Sequence, residues 1–368
     1  MPRSYSAFLV ALLAAGGWFF TKGPGTGKFG DILASISQQA QSASQGQFGA
    51  GPNAPGGYYP TNPNYQPQPA SAQMPVNYGA QPVAPAPPTP MFGGPAIRIA
   101  SFNIEVFGDK KASKPYVMAT LASIVQNFHV VAIQEIRTQD DYFIDNFLRT
   151  YVNTNGRAYD KVVGPRQGST VSTEQYAFLY DTAAIEVNHR SVFTVNDPDH
   201  LLERDPLVAM FRVRGPPPEQ AFTFVLIDMH TRPDRHAAAE VDTLSRVYQA
   251  VRRASNGEDD IILLGDLNVD DKHLGELGQL DGVRPIVRNT FTNTRQNAQY
   301  DNIIVHQPST TEFSGKWGVF DFPRLFNLTP DQAQQVSDHM PIWAEFSAYE
   351  SATPGRVAIR DYTGVRAQ

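Results

Sequence analysis

Four short polar motifs, each sitting where an apolar run ends, constrain this chain more than any other feature. They are Ser101-Phe102-Asn103, Gln134-Glu135, Gly265-Asp266-Leu267-Asn268 and Ser337-Asp338-His339. The runs ahead of them, residues 97–100, 130–133, 261–264 and more weakly 335–336, read as buried strands. Carboxylates and amides at the mouths of buried strands are how a sheet-based protein gathers groups around one site. A GDxN tetrapeptide alone is a weak signal. The four in this order are a strong one, and they demand a fold that brings several strand ends together.

The chain of 368 residues is long enough for one large domain or two ordinary ones. Its composition is split: beyond about Ala96 apolar runs alternate with amphipathic stretches, and before it they do not. With 30 Lys and Arg against 36 Asp and Glu the net charge is −6, so there is no overall basic footprint of the kind carried by non-catalytic nucleic-acid binders. Catalysis on a phosphate is still compatible with this charge, because a bound divalent ion supplies local positive charge. There are no cysteines, which excludes disulfides, thiolate zinc sites and cysteine nucleophiles. The eight histidines show no HExxH spacing, which argues against an all-histidine zinc site.

Residues 5–20 are uncharged and mostly apolar, between Arg3 and Lys22. As a helix they would span roughly 24 Å, short of the usual ~30 Å hydrocarbon core. Residues 1–22 therefore read as a signal peptide or a short signal anchor, with small residues at Ala14-Ala15-Gly16-Gly17 for cleavage and Trp18-Phe19-Phe20 as an interfacial belt. Either way the rest of the chain is expected to be exported, secreted or held at the cytoplasmic membrane by residues 5–20. Residues 23–95 are rich in Gly, Pro, Gln, Ser and Asn and are expected to form a disordered tether. Residues 349–368 read as a C-terminal tail.

Between them, residues 96–348 carry the folded pattern. Strands are expected over 97–104, 130–134, 161–164, 176–180, 186–195, 208–213, 222–230, 261–266, 302–305 and 342–346. Helices are expected over 115–128, 142–151 and 237–253, the last with Val241, Leu244, Tyr248 and Val251 on one stripe. Helix-interrupted strands at both ends with meanders between them suggest two mixed sheets packed face to face and covered by helices.

Read as chemistry, Glu135 at a strand end is the obvious metal ligand, with Asn103 beside it. Asp266 and Asn268, one residue apart, would point to the same side of an extended segment and orient a water and a phosphate oxygen. The competing reading is an Asx turn that bonds its own backbone. Asp338-His339 sets a second acid beside an imidazole suited to proton transfer near neutral pH.

The motif order resembles the endonuclease/exonuclease/phosphatase superfamily, and within it the deoxyribonuclease I family, over nearly all of residues 96–346. Ser101-Phe102-Asn103-Ile104-Glu105-Val106-Phe107-Gly108 is similar to that family's opening strand. Ile133-Gln134-Glu135-Ile136-Arg137 resembles its metal-binding strand. Glu174-Gln175-Tyr176-Ala177-Phe178-Leu179-Tyr180, Asp228-Met229-His230-Thr231-Arg232-Pro233 and Tyr300-Asp301-Asn302-Ile303-Ile304-Val305 are similar to three others. The resemblance implies an α/β (α+β) four-layer α/β/β/α sandwich and two histidine–carboxylate pairs, Glu174–His230 and Asp301–His339, flanking a scissile phosphate. It further implies Asp266 and Asn268 as catalytic groups, Glu135, Asp338 and Asn103 around the metal, and Arg137, Arg204 and Tyr300 on the substrate. Departures fall at the grip positions: Glu105 stands where an arginine is usual, Ser172 where a tyrosine is, and Asn302 where an arginine is.

The expectation is a Mg²⁺-dependent phosphodiesterase, with Mn²⁺ as a substitute and Ca²⁺ as a structural ion. It would be an endonuclease of low sequence specificity, monomeric and acting on nucleic acid, DNA first. The alternatives are the same chemistry on RNA, a phospholipid headgroup or another phosphoester, and a non-catalytic envelope protein on this scaffold.

Overall fold

The computed structural model describes residues 96–168, 173–255 and 257–350. The expected signal or anchor, the disordered tether, most of the C-terminal tail and Ser172 lie outside the described residues. Among the described residues no helix is long and apolar enough to cross a membrane.

Twelve strands form two six-stranded mixed sheets. The first has the order β11 (Phe313–Val319), β12 (Ile342–Ser347), β1 (Ala96–Phe107), β2 (Val130–Ile136), β4 (Gln175–Asp181), β3 (Tyr159–Val163). The second runs β5 (Ile185–Thr194), β6 (Leu207–Val213), β7 (Thr223–His230), β8 (Ile261–Asp266), β10 (Asp301–His306), β9 (Val283–Pro285). Each sheet has a single parallel pair, β1 with β2 and β7 with β8; every other pairing is antiparallel.

A parallel pair needs a crossover, and both crossovers are helices. Pro115–Val125 joins β1 to β2 and Ala237–Ala254 joins β7 to β8. Each lays its apolar face on the outside of its own sheet: Val117, Leu121 and Val125 against Ala100, Phe102 and Val131, and Val241, Leu244 and Val251 against Val225, Ile227 and Leu263. Between the sheets lies a third apolar layer, where Phe222 stacks on Phe346 at 5.8 Å between centroids. The result is the expected four-layer sandwich.

Strand parity places the site. In β1, Ile97 and Ile99 face the other sheet, so Ser101 and Asn103 do too. The same count puts Gln134 inward in β2, Asp228 and His230 in β7, Asp266 in β8 and Asp301 in β10. The inner layer is therefore aliphatic and aromatic along most of its length and turns polar over the last two rungs at one end. Burial there is nearly complete: Ser101, Gln134 and Asp228 are fully buried, and Asn103, Glu174 and Asp301 are 1% exposed.

Several local expectations need correction. Residues 335–336 do not form a strand; they end the helix Pro330–Val336. Thr329 and Gln332 close a capping box there, and Pro330 takes the first-turn position where a missing N–H costs nothing. The helix from Pro115 stops at Val125, and the expected 142–151 helix is Phe143–Phe147 continued by a π-helical turn, Leu148–Val152. Two strands had no clear signal, β9 because it spans only three residues and ends in proline, and β11 because Gly315, Lys316 and Gly318 interrupt its alternation.

Candidate active site

The polar rungs form two layers. The deeper one is a buried chain across the two sheets: Ser101 and Gln134 bond side chain to side chain, and Gln134 Nε2 donates to Asp228 Oδ1 at 2.5 Å. Burial pushes the Asp228 carboxyl well above the usual carboxylate range, with Gln134 offsetting part of this.

The outer layer is the candidate site. His230 Nδ1 lies 2.9 Å from Glu174 Oε1, and His339 Nδ1 lies 2.9 Å from Asp301 Oδ2. The two imidazoles turn their other nitrogens toward the same atom: Asp266 Oδ2 is 3.5 Å from His230 Nε2 and 3.5 Å from His339 Nε2. Asn103 completes the set by donating its amide to Asp266 Oδ2 at 3.0 Å and to Glu135 Oε1 at 3.2 Å. Its oxygen is taken by the Glu105 N–H at 2.9 Å, so Asn103 bridges two carboxylates from the amide side.

These contacts set the protonation states. Burial alone would lower both imidazoles. For His230 the Glu174 carboxylate more than offsets it, and for His339 the Asp301 and Asp266 carboxylates do so by enough to hold the ring well above its ordinary value. Burial raises Asp266 and Glu174, but the imidazoles facing them, with Arg204 and Arg137 beside Glu174, bring both below the usual range. Asp301 is raised by burial, with His339 offsetting only part of it.

Glu135 sits where both strands of the parallel pair lose register, between Asn103 and Phe107 in β1 and between Ile133 and Ile136 in β2. Its φ is +62°, and Glu105 and Val106 opposite have φ of +42° and +52°. Left-handed backbone costs an L-residue roughly 1–2 kcal/mol, most for a β-branched one, so this junction is strained. The Val106 N–H bond to Glu135 Oε2, 2.9 Å long, ties the two distorted segments together and aims the carboxylate at the mouth. Gly265 in the GDxN motif answers to a different demand: with φ of +147° it lies so close to β7 that a Cβ would meet the Met229 carbonyl oxygen at 1.8 Å.

Of the residues expected in the site, the structure brings Asn103, Glu135, Glu174, His230, Asp266, Asp301 and His339 into one connected cluster. Asp338 lies at its rim, 45% exposed in its side chain and 3.9 Å from His339 Nε2. Tyr300 packs its ring 5.7 Å from that of His339. Arg137 bridges Glu135 and Glu174 at 3.1 and 3.2 Å. Arg204 sits below the surface, its Nε 2.9 Å from Glu174 Oε1 and its Nη1 donating to the His230 carbonyl. Asn268 departs from the extended geometry expected of it. Its φ is +51°, its N–H donates to Asp266 Oδ1 in an Asx turn, and its amide donates to the Thr231 carbonyl at 3.0 Å. It therefore lines a cleft of about 390 Å³ beside the site, with Phe291 and Tyr300 among the other walls.

Sequence reasoning missed the groups that hold these side chains. Thr292 donates to Asp301 Oδ2 at 2.6 Å. Ser337 donates to the Asn103 carbonyl at 2.7 Å and accepts from the His339 N–H, tying β1 to the loop that carries the imidazole. The Tyr176 hydroxyl accepts from the His230 N–H at 3.0 Å. Ser337 and Tyr176 lay inside quoted segments and Thr292 outside them, and in each case the bonded partner lies elsewhere in the sequence, with no local signal linking the two.

The donor set suits a hard divalent cation. Glu135 offers one carboxylate at an open mouth with Asp338 at the rim, and magnesium takes one or two protein carboxylates plus waters and phosphate oxygens. The tighter group of Asp266, Asp301 and His339, whose ligand atoms lie within 4.8 Å of one another, is already engaged in the imidazole–carboxylate pairing.

Residues 100–339 match the Endonuclease/Exonuclease/phosphatase family. Deoxyribonuclease-1-like 1 of Sus scrofa is 30% identical over 271 residues, 69% of this chain and 82% of that protein. Deoxyribonuclease gamma of Rattus norvegicus is 26% identical over 293 residues, 73% of this chain and 90% of the relative. Among solved structures, an endonuclease/exonuclease/phosphatase family protein from Bacteroides thetaiotaomicron aligns with a TM-score of 0.48 at 16% identity, covering 70% of this chain and 96% of that one.

Proposed function

We propose that this chain, which belongs to the endonuclease/exonuclease/phosphatase family, is a Mg²⁺-dependent phosphodiesterase that cleaves DNA with little sequence preference. The observation that carries the reading is the pair of imidazoles, each oriented by its own carboxylate, that converge on Asp266 Oδ2 at 3.5 Å. The names of the relatives, deoxyribonucleases at up to 30% identity, favour DNA. Contacts to phosphate carry no base information, which suits low specificity.

Glu135, with Asp338 at the rim, would hold the cation. When bound, it neutralises charge on a non-bridging phosphate oxygen and lowers the barrier to attack. The remaining work falls to this chain's own groups. Asp266, ionised between two imidazoles, accepts hydrogen bonds from whichever is protonated and orients the attacking water. One imidazole takes the proton of that water and the other delivers one to the leaving oxygen, a division of labour that needs two rings facing one reacting centre. Glu174 and Asp301 fix each ring with Nε2 toward the substrate and stabilise its charged form. Asn103 keeps Asp266 and Glu135 apart while donating to both. Arg137 and Arg204 anchor Glu174, one at each carboxylate oxygen.

A second reading, the same chemistry on another phosphoester, is favoured by the mouth itself. Glu105 lies there close to Asp338 and Glu135, and burial and those two carboxylates raise its pKa against the pull of Lys111. A polyanion would meet acid at this edge. The apolar 5–20 segment supports export of the chain.

The deciding experiment offers the purified protein plasmid DNA, RNA, sphingomyelin and p-nitrophenyl phosphoesters in parallel, with Mg²⁺ and with EDTA. Mg²⁺-dependent nicking of plasmid in excess over the others is the expected result. Hydrolysis of another phosphoester with plasmid untouched would move the assignment to the second reading.

A further inference from the structure

At the end of the sandwich opposite the imidazoles, four segments from both sheets bring carboxylates together. Asp260 precedes β8, Glu312 precedes β11, Glu350 follows β12, and Thr223, which opens β7, ties in Glu258. β7 and β8 each run from here to the imidazole end, so the two sites lie roughly 20 Å apart. One carboxylate oxygen from each of Asp260, Glu312 and Glu350 lies within 4.8 Å of the other two. Asp260 and Glu312 are each 3% exposed. Asp260 Oδ1 is buried with no hydrogen-bond partner. Among the described residues no lysine, arginine or histidine forms an ion pair with Asp260, Glu258 or Glu350 within 4.0 Å. Neutral groups bond Glu258 and Glu350: Thr223 donates its N–H to Glu350 Oε1 at 2.7 Å and its hydroxyl bonds Glu258 and Glu350, while the Asp260 N–H donates to Glu258 Oε1 at 2.9 Å.

We infer that Asp260, Glu312 and Glu350, with Glu258 beside them, form a structural calcium site that clamps the two sheets at the end remote from the reaction centre. Three converging carboxylates supply up to six oxygens, the number and kind Ca²⁺ takes in flexible geometry. Magnesium dehydrates reluctantly, and a site this buried has little space for its waters. The alternative means of neutralising the cluster is protonation. Burial and the facing Glu312, Glu258 and Glu350 push Asp260 up to about 9, with the Thr310 hydroxyl offsetting a part, and burial lifts Glu258 to about 7. A cation and protons therefore compete for the same oxygens.

The test uses the full chain carrying Glu135→Ala, which removes the carboxylate proposed to hold the ion at the reaction centre. After stripping with EDTA and dialysis at pH 8, CaCl₂ should bind with a stoichiometry of one by calorimetry and raise Tm by roughly 5–10 °C at a hundredfold excess over Kd. MgCl₂ should give a smaller shift. Adding Asp260→Asn and Glu350→Gln should abolish uptake and shift together. Should Asp260→Asn fail to fold, Glu350→Gln alone, at a half-buried position, should weaken Ca²⁺ at least about tenfold. No uptake at pH 8, uptake unchanged by these substitutions, or stabilisation by Mg²⁺ equal to that by Ca²⁺ would each overturn the inference. None of these outcomes bears on phosphodiester hydrolysis, which is read separately.

Discussion

Asn103 reaches across the gap between the two sheets and donates its side-chain amide to Asp266 Oδ2 at 3.0 Å, although the two residues are 163 positions apart. The same amide also meets Glu135 Oε1. It is thus a neutral wedge between two carboxylates that would otherwise repel. Asn103→Asp should remove the donor and add a third negative charge. We expect a loss of about 10²-fold or more in kcat/KM, and an acid limb of the pH profile moved to higher pH, because Asp266 would ionise less readily. Asn103→Ala should lose less and leave the limb nearer its original place. An unshifted limb in the aspartate variant would show that Asp266 does not act as the ionised partner.

Glu135→Ala should abolish divalent-dependent turnover, by at least about 10²-fold, while leaving the fold intact. The carboxylate stabilises little by packing, and its removal frees the strained Val106 N–H to bond water. Circular dichroism checks the fold and a Mg²⁺ titration of plasmid nicking checks the activity. Near-wild-type turnover in the folded variant would remove Glu135 from the cation.

His230→Ala and His339→Ala should each be severely impaired, and the double variant should lose far less than the product of the single losses. Both rings face Asp266 at 3.5 Å; in the proposed mechanism they serve one proton-transfer event, and groups that act as a unit are not additive. Strictly multiplicative losses in single-turnover rates would leave one histidine with a structural role only.

How far this site could be read from the sequence follows from what each residue depends on. Asp266 was legible because a strand end is a local property: β8 begins and ends at the residues expected. The pairing of Glu174 with His230 and Asp301 with His339 came from resemblance, since nothing local links residues 56 and 38 positions apart. Asn268 was misplaced because an Asx turn and an extended strand continuation share the same DxN sequence, and only the Thr231 carbonyl decides between them. The resemblance implied Arg137 and Arg204 as substrate contacts, and their ion pairs with the buried Glu174 carboxylate had no local signal in the sequence. The helix ending at Val336 escaped because its cap, Thr329 with Gln332, lies outside the motif that drew attention.

In EDTA, stability should decline as pH rises from about 5 toward 9. An acid whose folded pKa lies above its unfolded value, near 4 for Asp and Glu, is favoured in its neutral form by the fold. Its stabilising effect is complete below the unfolded pKa and is lost as pH climbs to the folded one. Burial and the facing carboxylates of Glu312, Glu258 and Glu350 set that upper limit at about 9 for Asp260, and burial sets it at about 7 for Glu258. Thermal unfolding of the full chain across this range should show Tm falling, and Asp260→Asn should flatten the upper part of the curve. A Tm that rises between pH 6 and 9 would contradict the protonated state of the cluster.

The last prediction concerns what enters the mouth. Glu105 is 42% exposed in its side chain, 3.7 Å from Lys111 Nζ, with Asp338 and Glu135 nearby. Its φ of +42° is no worse for arginine than for glutamate, so Glu105→Arg should fold. If duplex DNA is the substrate, the substitution replaces repulsion of a phosphate by attraction, and plasmid nicking should rise several-fold at low salt. The gain should shrink as salt rises, because an added phosphate contact releases a counterion and steepens the salt dependence by about one unit of slope. Adding Ser172→Tyr, which supplies an aromatic surface for the minor groove, should raise it further. Plasmid activity that stays flat while hydrolysis of another phosphoester falls would show that the acidic edge was shaped for a different ligand, and the DNA assignment would give way to it.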